Sequence, residues 1–224
     1  MRALAIRGLA FAGLLTITSA TQAQSSFWGG NDQVPSLNIA PATLRIDVPM
    51  PVSGDDLQLM LAQAANGGGL ADLKQEAVRT YTQHLQGELT RLLHDHLEDE
   101  RIPLVKQEGV LTLQNDLKLK VIKHLSAMKP KGDYDLEQGN VALSGEFHYL
   151  LKHNDGTTLQ EKHIALRDLG ITSKYRVRNY RDGRTNDDNT EEAIKDALSK
   201  LAEELMESLE DDLEADKLRE IAAR

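Results

Sequence analysis

The chain has 224 residues, with 35 acidic and 26 basic side chains, a formal charge of −9 and no cysteine. The missing cysteine excludes disulfides, thiol nucleophiles, thiolate metal sites and the acylated cysteine of a bacterial lipoprotein. The acidic balance argues against a nucleic-acid ligand, because binders of that class carry a basic footprint.

The chain opens with Arg2 and Arg7 ahead of a short apolar run, Gly8 to Ile17, and then the small residues around Ala23. This is the layout of a secretory signal peptide, and the run is too short for a membrane-spanning helix, which needs roughly 20 residues. Cleavage is expected after Ala23, and loss of Arg2 and Arg7 would take the formal charge from −9 to −11. The mature chain has no later segment long and apolar enough to span a bilayer. With no Asn-x-Ser/Thr sequon present, the reading is a bacterial periplasmic protein. The expected organisation is a signal peptide over 1–23, a flexible leader over 24–38 and a single α+β domain over 39–224, ending in a long acidic helix.

In the leader, Trp28 is the single tryptophan and a candidate partner-docking anchor, since tryptophan is favoured at binding hot spots. Thr43 to Val48 alternates apolar and polar residues, as a half-buried strand does. Asp55 to Ala65 reads as a short helix, with Gly67, Gly68 and Gly69 as a hinge or C-cap. Leu73, Ala77, Tyr81, Leu85, Leu89 and Leu92/Leu93 recur every three to four residues, which predicts a helix over 70–97, about 42 Å long. Pro103 ends it.

The period then changes to two. Leu111, Leu113, Asn115, Leu117, Leu119 and Val121 occupy alternate positions, a long strand with a bend expected at Gln114 to Asp116. Pro130 to Asp133 makes a connection. Val141 to Leu151 repeats the alternation, Asn154-Asp155-Gly156 signals a hairpin, and Leu159 to Leu166 returns. Gly109 and Gly139 read as strand boundaries. Consecutive antiparallel strands of this kind describe a meander.

Ile171 to Tyr180 reads as another strand. Ile171, Tyr175 and Val177 share one face; Lys174, Arg176, Arg178 and Tyr180 share the other. The Tyr/Arg interleaving looks like a nucleic-acid reader, but the alternation and the export signal make it a solvated face, suited to an edge strand. Arg176 and Arg178 remain candidates for contact with a partner. A helix follows from Thr190 to Ala222, with Asn189 or Thr190 as cap and Glu192 in the capping-box position. Ile194, Leu198, Leu201, Leu205 and Leu209 form its core stripe, and Leu213, Leu218 and Ile221 continue it less regularly. At about 50 Å this helix would overhang the sheet, which makes Leu213, Leu218 and Ile221 candidate partner contacts. From Thr190 onward there are twelve acidic and five basic residues, against fifteen basic and ten acidic from Arg101 to Arg184.

No catalytic or cofactor signature is present. His94 and His96 point about 200° apart on a helix and cannot readily share an ion. His124, His148 and His163 lie on strands and are the histidines able to cluster across a sheet; solvent exposure is their default. There is no Gly-x-Ser-x-Gly elbow, no His-Glu-x-x-His and no Gly-x-Gly-x-x-Gly. No metal, cofactor or catalytic residue is assigned.

The expected architecture is α+β, a mainly antiparallel sheet of five or six strands packed with two long amphipathic helices. The element order resembles that of small periplasmic accessory domains of outer-membrane and lipopolysaccharide transport machinery, a likeness that implies no site residue. The functional expectation is an exported, non-catalytic accessory protein that binds an envelope protein or lipid-linked component. The alternative is a carrier of a small apolar ligand or lipid, with Leu111, Leu119, Val121, Phe147 and Tyr149 lining its pocket.

Overall fold

The computed structural model describes residues 33–50 and 69–223. The signal-peptide segment, Trp28 and the short helix expected at Asp55 to Ala65 lie outside them. The chain from Gln33 onward clusters as one compact unit.

The fold is α+β, with an eight-stranded sheet and three α-helices among the described residues. In chain order these are β1 (Leu37–Ile39), β2 (Thr43–Asp47), α1 (Gly69–Asp99), β3 (Leu104–Val105), β4 (Leu111–Lys131), β5 (Tyr134–His153), β6 (Thr158–Ala165), β7 (Thr172–Tyr180), β8 (Asp187–Asp188), α2 (Thr190–Glu210) and α3 (Ala215–Ala222). A 3-10 turn, Leu166–Leu169, links β6 to β7.

Two very long strands organise the sheet. β4 and β5 pair antiparallel along almost their whole length, from Leu111↔His153 to Lys131↔Tyr134. Each outer edge of that hairpin is long enough for two short strands laid end to end. β1 and β2 run parallel to β4 along one edge. β6 and β7 run antiparallel to β5 along the other, β6 beside 146–152 and β7 beside 134–142. The arrangement is therefore not the simple meander that consecutive alternating runs suggest. β6 and β7 are sequence neighbours but share one partner, and the 3-10 turn carries the chain from one to the other. Gly170, at φ 65°, ends that turn in the left-handed conformation that glycine adopts without a Cβ clash.

Several boundaries differ from the sequence reading. The expected leader ends in a strand: Leu37 and Asn38 belong to β1 with Ile39, and Leu37 is fully buried. The register of β4 is continuous through Gln114 to Asp116, and the irregularity falls at Leu125/Ala127 instead. Gly139 lies inside β5 opposite Tyr175. A Cβ there would sit 2.0 Å from the His124 carbonyl oxygen and 2.6 Å from the Tyr175 ring, so only glycine lets the ring lie across the strand.

The apolar parity of each strand faces the helices. Leu113, Leu117, Leu119, Val121, Val141, Phe147, Tyr149, Leu151, Tyr175 and Val177 are all buried. The opposite face carries Lys118, Lys120, Glu146, Glu161 and His163, all exposed. Both long helices lie on the same apolar face. α2 packs on β5 and β7, and α1 packs on α2 and β2. α2 is the central element, with Ile194, Ala197, Leu198, Leu201, Ala202, Leu205 and Leu209 buried. Each large aliphatic side chain so buried contributes about 1.5–3 kcal/mol.

α1 spans the residues that its periodicity predicts and ends in a Schellman motif. The Ile102 N–H donates to the Leu97 carbonyl (2.9 Å) and the Arg101 N–H to that of Glu98 (3.0 Å). Arg101 takes the left-handed position, φ 54°, where glycine is usual.

The C-terminal helix is not continuous. It breaks at Asp211 to Glu214, and α3 turns back toward β6. The spacing explains the break. From Leu205 to Leu213 the apolar step is four, but Leu218 stands five beyond Leu213, which on a straight helix would rotate it about 140° off the stripe. The break resets that phase, so Leu213, Leu218 and Ile221 are 0, 0 and 1 % exposed. Two contacts hold the turn: Ala215 N–H donates to Glu100 Oε2 (3.0 Å), and the buried Tyr149 hydroxyl donates to Asp212 Oδ2. Lys162 Nζ also donates to the Ser208 carbonyl (2.7 Å). Among the described residues, the end of the chain folds back onto the core and does not overhang the sheet.

Asn189 occupies the N-cap position of α2, but its side chain makes no capping hydrogen bond. Its Oδ1 accepts from the Arg176 N–H (2.7 Å) on β7, while Asn186 Oδ1 accepts from Tyr180 N–H (3.1 Å). The exposed edge of β7 is thus closed by two asparagine side chains and by β8, which answers the aggregation hazard of an open edge. Thr190 N–H is served by Asp188 Oδ1 (2.7 Å).

Candidate functional site

Three groups of side chains in the described residues invite chemistry. The first is the tyrosine–arginine stretch. Arg178 pairs with Asp187 (2.9 Å) and lies 5.8 Å from the Tyr134 ring centroid. Arg181 pairs with Asp135 and donates to the Gly132 carbonyl (3.1 Å). Arg184 pairs with Asp133 and Asp182 and stacks 3.9 Å from the Tyr180 ring, which itself meets Tyr134 edge-on at 5.6 Å. Their charges are committed to partners in the same chain, and the cluster ties the β4–β5 turn to β7. Of the candidate contact residues, Arg176 is exposed and Arg178 half-buried. Leu213, Leu218 and Ile221 are in the core, so none of the three presents a surface to a partner, and Trp28 lies outside the described residues.

The second group is an apolar cavity of about 240 Å³ between the helices and the sheet. The β1–β2 connection, Ala40 to Ala42, forms its mouth. Leu89 and Leu93 of α1, Met206 and Leu209 of α2, and Leu117 and Phe147 of the sheet form its walls. Small residues at Ala40, Pro41 and Ala42 keep that rim from filling the space. Three polar side chains, Gln86, Thr90 and Asn115, join this lining. Asn115 stands on the apolar parity of β4, between Leu113 and Leu117, and its Oδ1 is buried with no hydrogen-bond donor. A buried amide oxygen left unpaired costs about 1–3 kcal/mol, so this oxygen is met by a donor from outside the chain, a water or a ligand.

This is not the pocket that the strand pattern suggests. Of Leu111, Leu119, Val121, Phe147 and Tyr149, only Phe147 lines the cavity; the others fill the core. The opening arises instead where α1 stands off from the sheet beside the β1–β2 connection. The signal that was available in the sequence was Asn115 itself, a polar residue in an apolar register.

The third group lies on the opposite, solvent-facing side of the sheet. His148 and His163 are direct cross-strand partners on β5 and β6. Their rings stack at 3.9 Å with 7° between planes. Glu161, two residues before His163, shares its face. Its Oε1 accepts from His148 Nε2 (2.8 Å) and from His163 Nε2 (3.0 Å). Those two hydrogen bonds, that from His163 the larger, hold the Glu161 carboxyl below its ordinary range. His124, the third strand histidine, pairs with Asn140 and stands eight residues further along β5, about 26 Å away at 3.3 Å per residue. His94 and His96 remain on α1 and do not join this group. His84 instead bridges the helices, its Nε2 3.0 Å from Ser199 Oγ.

No helix among the described residues is long and apolar enough to cross a membrane. No protein-family model and no curated protein matches the chain. Among solved structures, it is similar to a neuraminyllactose-binding hemagglutinin homolog from Helicobacter pylori, at 10 % identity and a TM-score of 0.44, over 85 % of this chain and 91 % of that one. It is also similar to a minor lipoprotein from Acinetobacter baumannii, at 12 % identity and a TM-score of 0.30, over 56 % of this chain and 83 % of that one.

Proposed function

We propose that the protein is an exported, non-catalytic accessory protein of the bacterial cell envelope, working in the periplasm, and that it holds an envelope component by an apolar group seated in the cavity between α1, α2 and the sheet. The observation that carries this reading is the unpaired Asn115 Oδ1 at an otherwise apolar wall. A cavity of about 150 Å³ accepts benzene, so 240 Å³ takes a somewhat larger group, a short acyl segment or a substituted ring. An apolar pocket with one oriented acceptor selects an amphiphile whose hydroxyl or amide N–H meets that oxygen. The lining holds no histidine, lysine or carboxylate to activate the Thr90 hydroxyl or to form an acid–base pair, which is why the reading is binding and not turnover. Exposed Leu125 and Met128, 57 and 60 % accessible at the far end of the hairpin, offer a second contact to the same component or to a protein partner.

Native mass spectrometry of protein released gently from the envelope is the test. A lipid or amphiphile adduct that Ala42→Trp abolishes, with the circular dichroism spectrum unchanged, supports the reading. A clean apo mass, together with no saturable binding of the apolar probe N-phenyl-1-naphthylamine, overturns it.

A further inference from the structure

We propose that His148, Glu161 and His163 form a binding site for a divalent transition-metal ion of the zinc and copper class. Sheet geometry places the three ligands. A cross-strand pair and a residue two positions along one of those strands point to the same face. The two Nε2 atoms and a Glu161 oxygen all lie within 4.8 Å of one another. Both rings are turned so that Nε2, not Nδ1, converges on the same carboxylate oxygen. An ion bonded at about 2.0–2.1 Å to each ligand needs them roughly 3.3 Å apart. The present separations of 2.8 and 3.0 Å between ring nitrogens and Oε1 open by a few tenths of an ångström on metal entry, and the two rings, now stacked 7° from parallel, swing apart at their side-chain torsions so that both planes take in the ion. Each ring binds as the neutral tautomer protonated on Nδ1, so the proton on Nε2 is exchanged through solvent for one on Nδ1 and the freed Nε2 lone pair becomes a ligand.

The donor set decides the ion. Two imidazoles and one carboxylate suit zinc, copper and nickel; they do not suit calcium or magnesium, which want oxygen ligands. With three protein ligands on an exposed face, the remaining positions are open to water or to a group from a partner. The alternative explanation, a simple surface hydrogen-bond cluster, gives little reason for the arrangement. Exposed pairs of this kind add little to stability, whereas two imidazoles held on one carboxylate oxygen are an ordered set of donors. Bound metal would also staple the edge strand β6 to β5.

The test is titration of the metal-stripped full chain with Zn²⁺ and, separately, Cu²⁺ by calorimetry. One-to-one binding at micromolar strength is expected, tighter for Cu²⁺ than for Zn²⁺. His148→Ala and His163→Ala should each weaken it by at least about tenfold, and Glu161→Gln by about tenfold. The His94→Ala/His96→Ala variant should bind as the parent does. Electron paramagnetic resonance of the Cu²⁺ form should show two coordinated imidazole nitrogens. Absence of binding below about 100 µM, a far weaker range than three-ligand sites show, overturns the assignment. So does undiminished affinity in the His148→Ala/His163→Ala double variant, whose fold is checked by circular dichroism. The cavity plays no part in any of these readouts.

Discussion

Replacing Asn115 by leucine separates a binding site from a packing defect. No donor of the chain reaches the buried Asn115 Oδ1. Removing an unpaired buried acceptor recovers about 1–3 kcal/mol of desolvation. Leucine has nearly the same shape, and its apolar end faces a cavity of about 240 Å³, so no overpacking offsets the gain. The expected net change is a stabilisation of about 1–2 kcal/mol. For a chain of this size that is a rise in Tm of about 3–6 °C. The assay is urea denaturation of delipidated protein, followed by circular dichroism, with m held equal between the variants. The same substitution should weaken the native amphiphile by about tenfold, because its donor loses the acceptor. An apo protein that is unchanged or destabilised by Asn115→Leu would refute the argument, since the oxygen would then be satisfied and the cavity wall would be ordinary core.

Leu218→Ala should cost about 2–5 kcal/mol, as for a fully buried leucine; a loss under about 0.5 kcal/mol would mean that the tail does not pack against the core. Gly139→Ala should destabilise by at least about 3 kcal/mol, beyond ordinary overpacking, because its new Cβ would meet the His124 carbonyl at 2.0 Å; Tyr175→Ala should not rescue it, since the nearer clash is with backbone. Arg101→Gly should stabilise by about 0.5–1 kcal/mol by relieving the left-handed φ of 54°, read as a shift of the urea midpoint at constant m. Asp196, whose carboxyl is held below its ordinary 3.8 by Lys200 and then by Ser173, contributes stability that is fully present above its unfolded pKa and is lost as pH falls through the lower folded value. Asp196→Asn should therefore flatten the acid limb of the stability curve below about pH 4 and leave its slope at pH 6–8 unchanged.

The long strands and α1 were legible because their information is local. Alternation from Leu111 to Val121 and the four-residue steps from Tyr81 to Leu93 state which face is apolar, whatever packs against it. The Asn154 to Gly156 turn was legible for the same reason. Partner choice was not. Nothing in the composition of β6 or β7 says that both will lie along β5, because that follows from β5 being long enough to hold two strands on one edge. The single helix expected from Thr190 to Ala222 breaks at Asp211 to Glu214, just ahead of the five-residue step from Leu213 to Leu218 where the apolar pattern weakens. The capping role expected of Asn189 went instead to closing the edge of β7, a demand that exists only once the sheet is assembled.

The sites divide along the same line. His148 and His163 were recognised as strand histidines able to cluster, but which of three would meet was a matter of register, and register is a long-range property. The sequence by itself determined the α+β class, the export signal as an expectation, and the polarity of each face, since periodicity and side-chain chemistry are written residue by residue. Only the tertiary structure decided that the acidic tail folds back into the core, that Arg178, Arg181 and Arg184 are spent on neighbouring aspartates and tyrosines, and that Asn115 lines an apolar cavity. Each of these depends on contacts between segments far apart in the chain, whose free energy exists only when the whole sheet has formed.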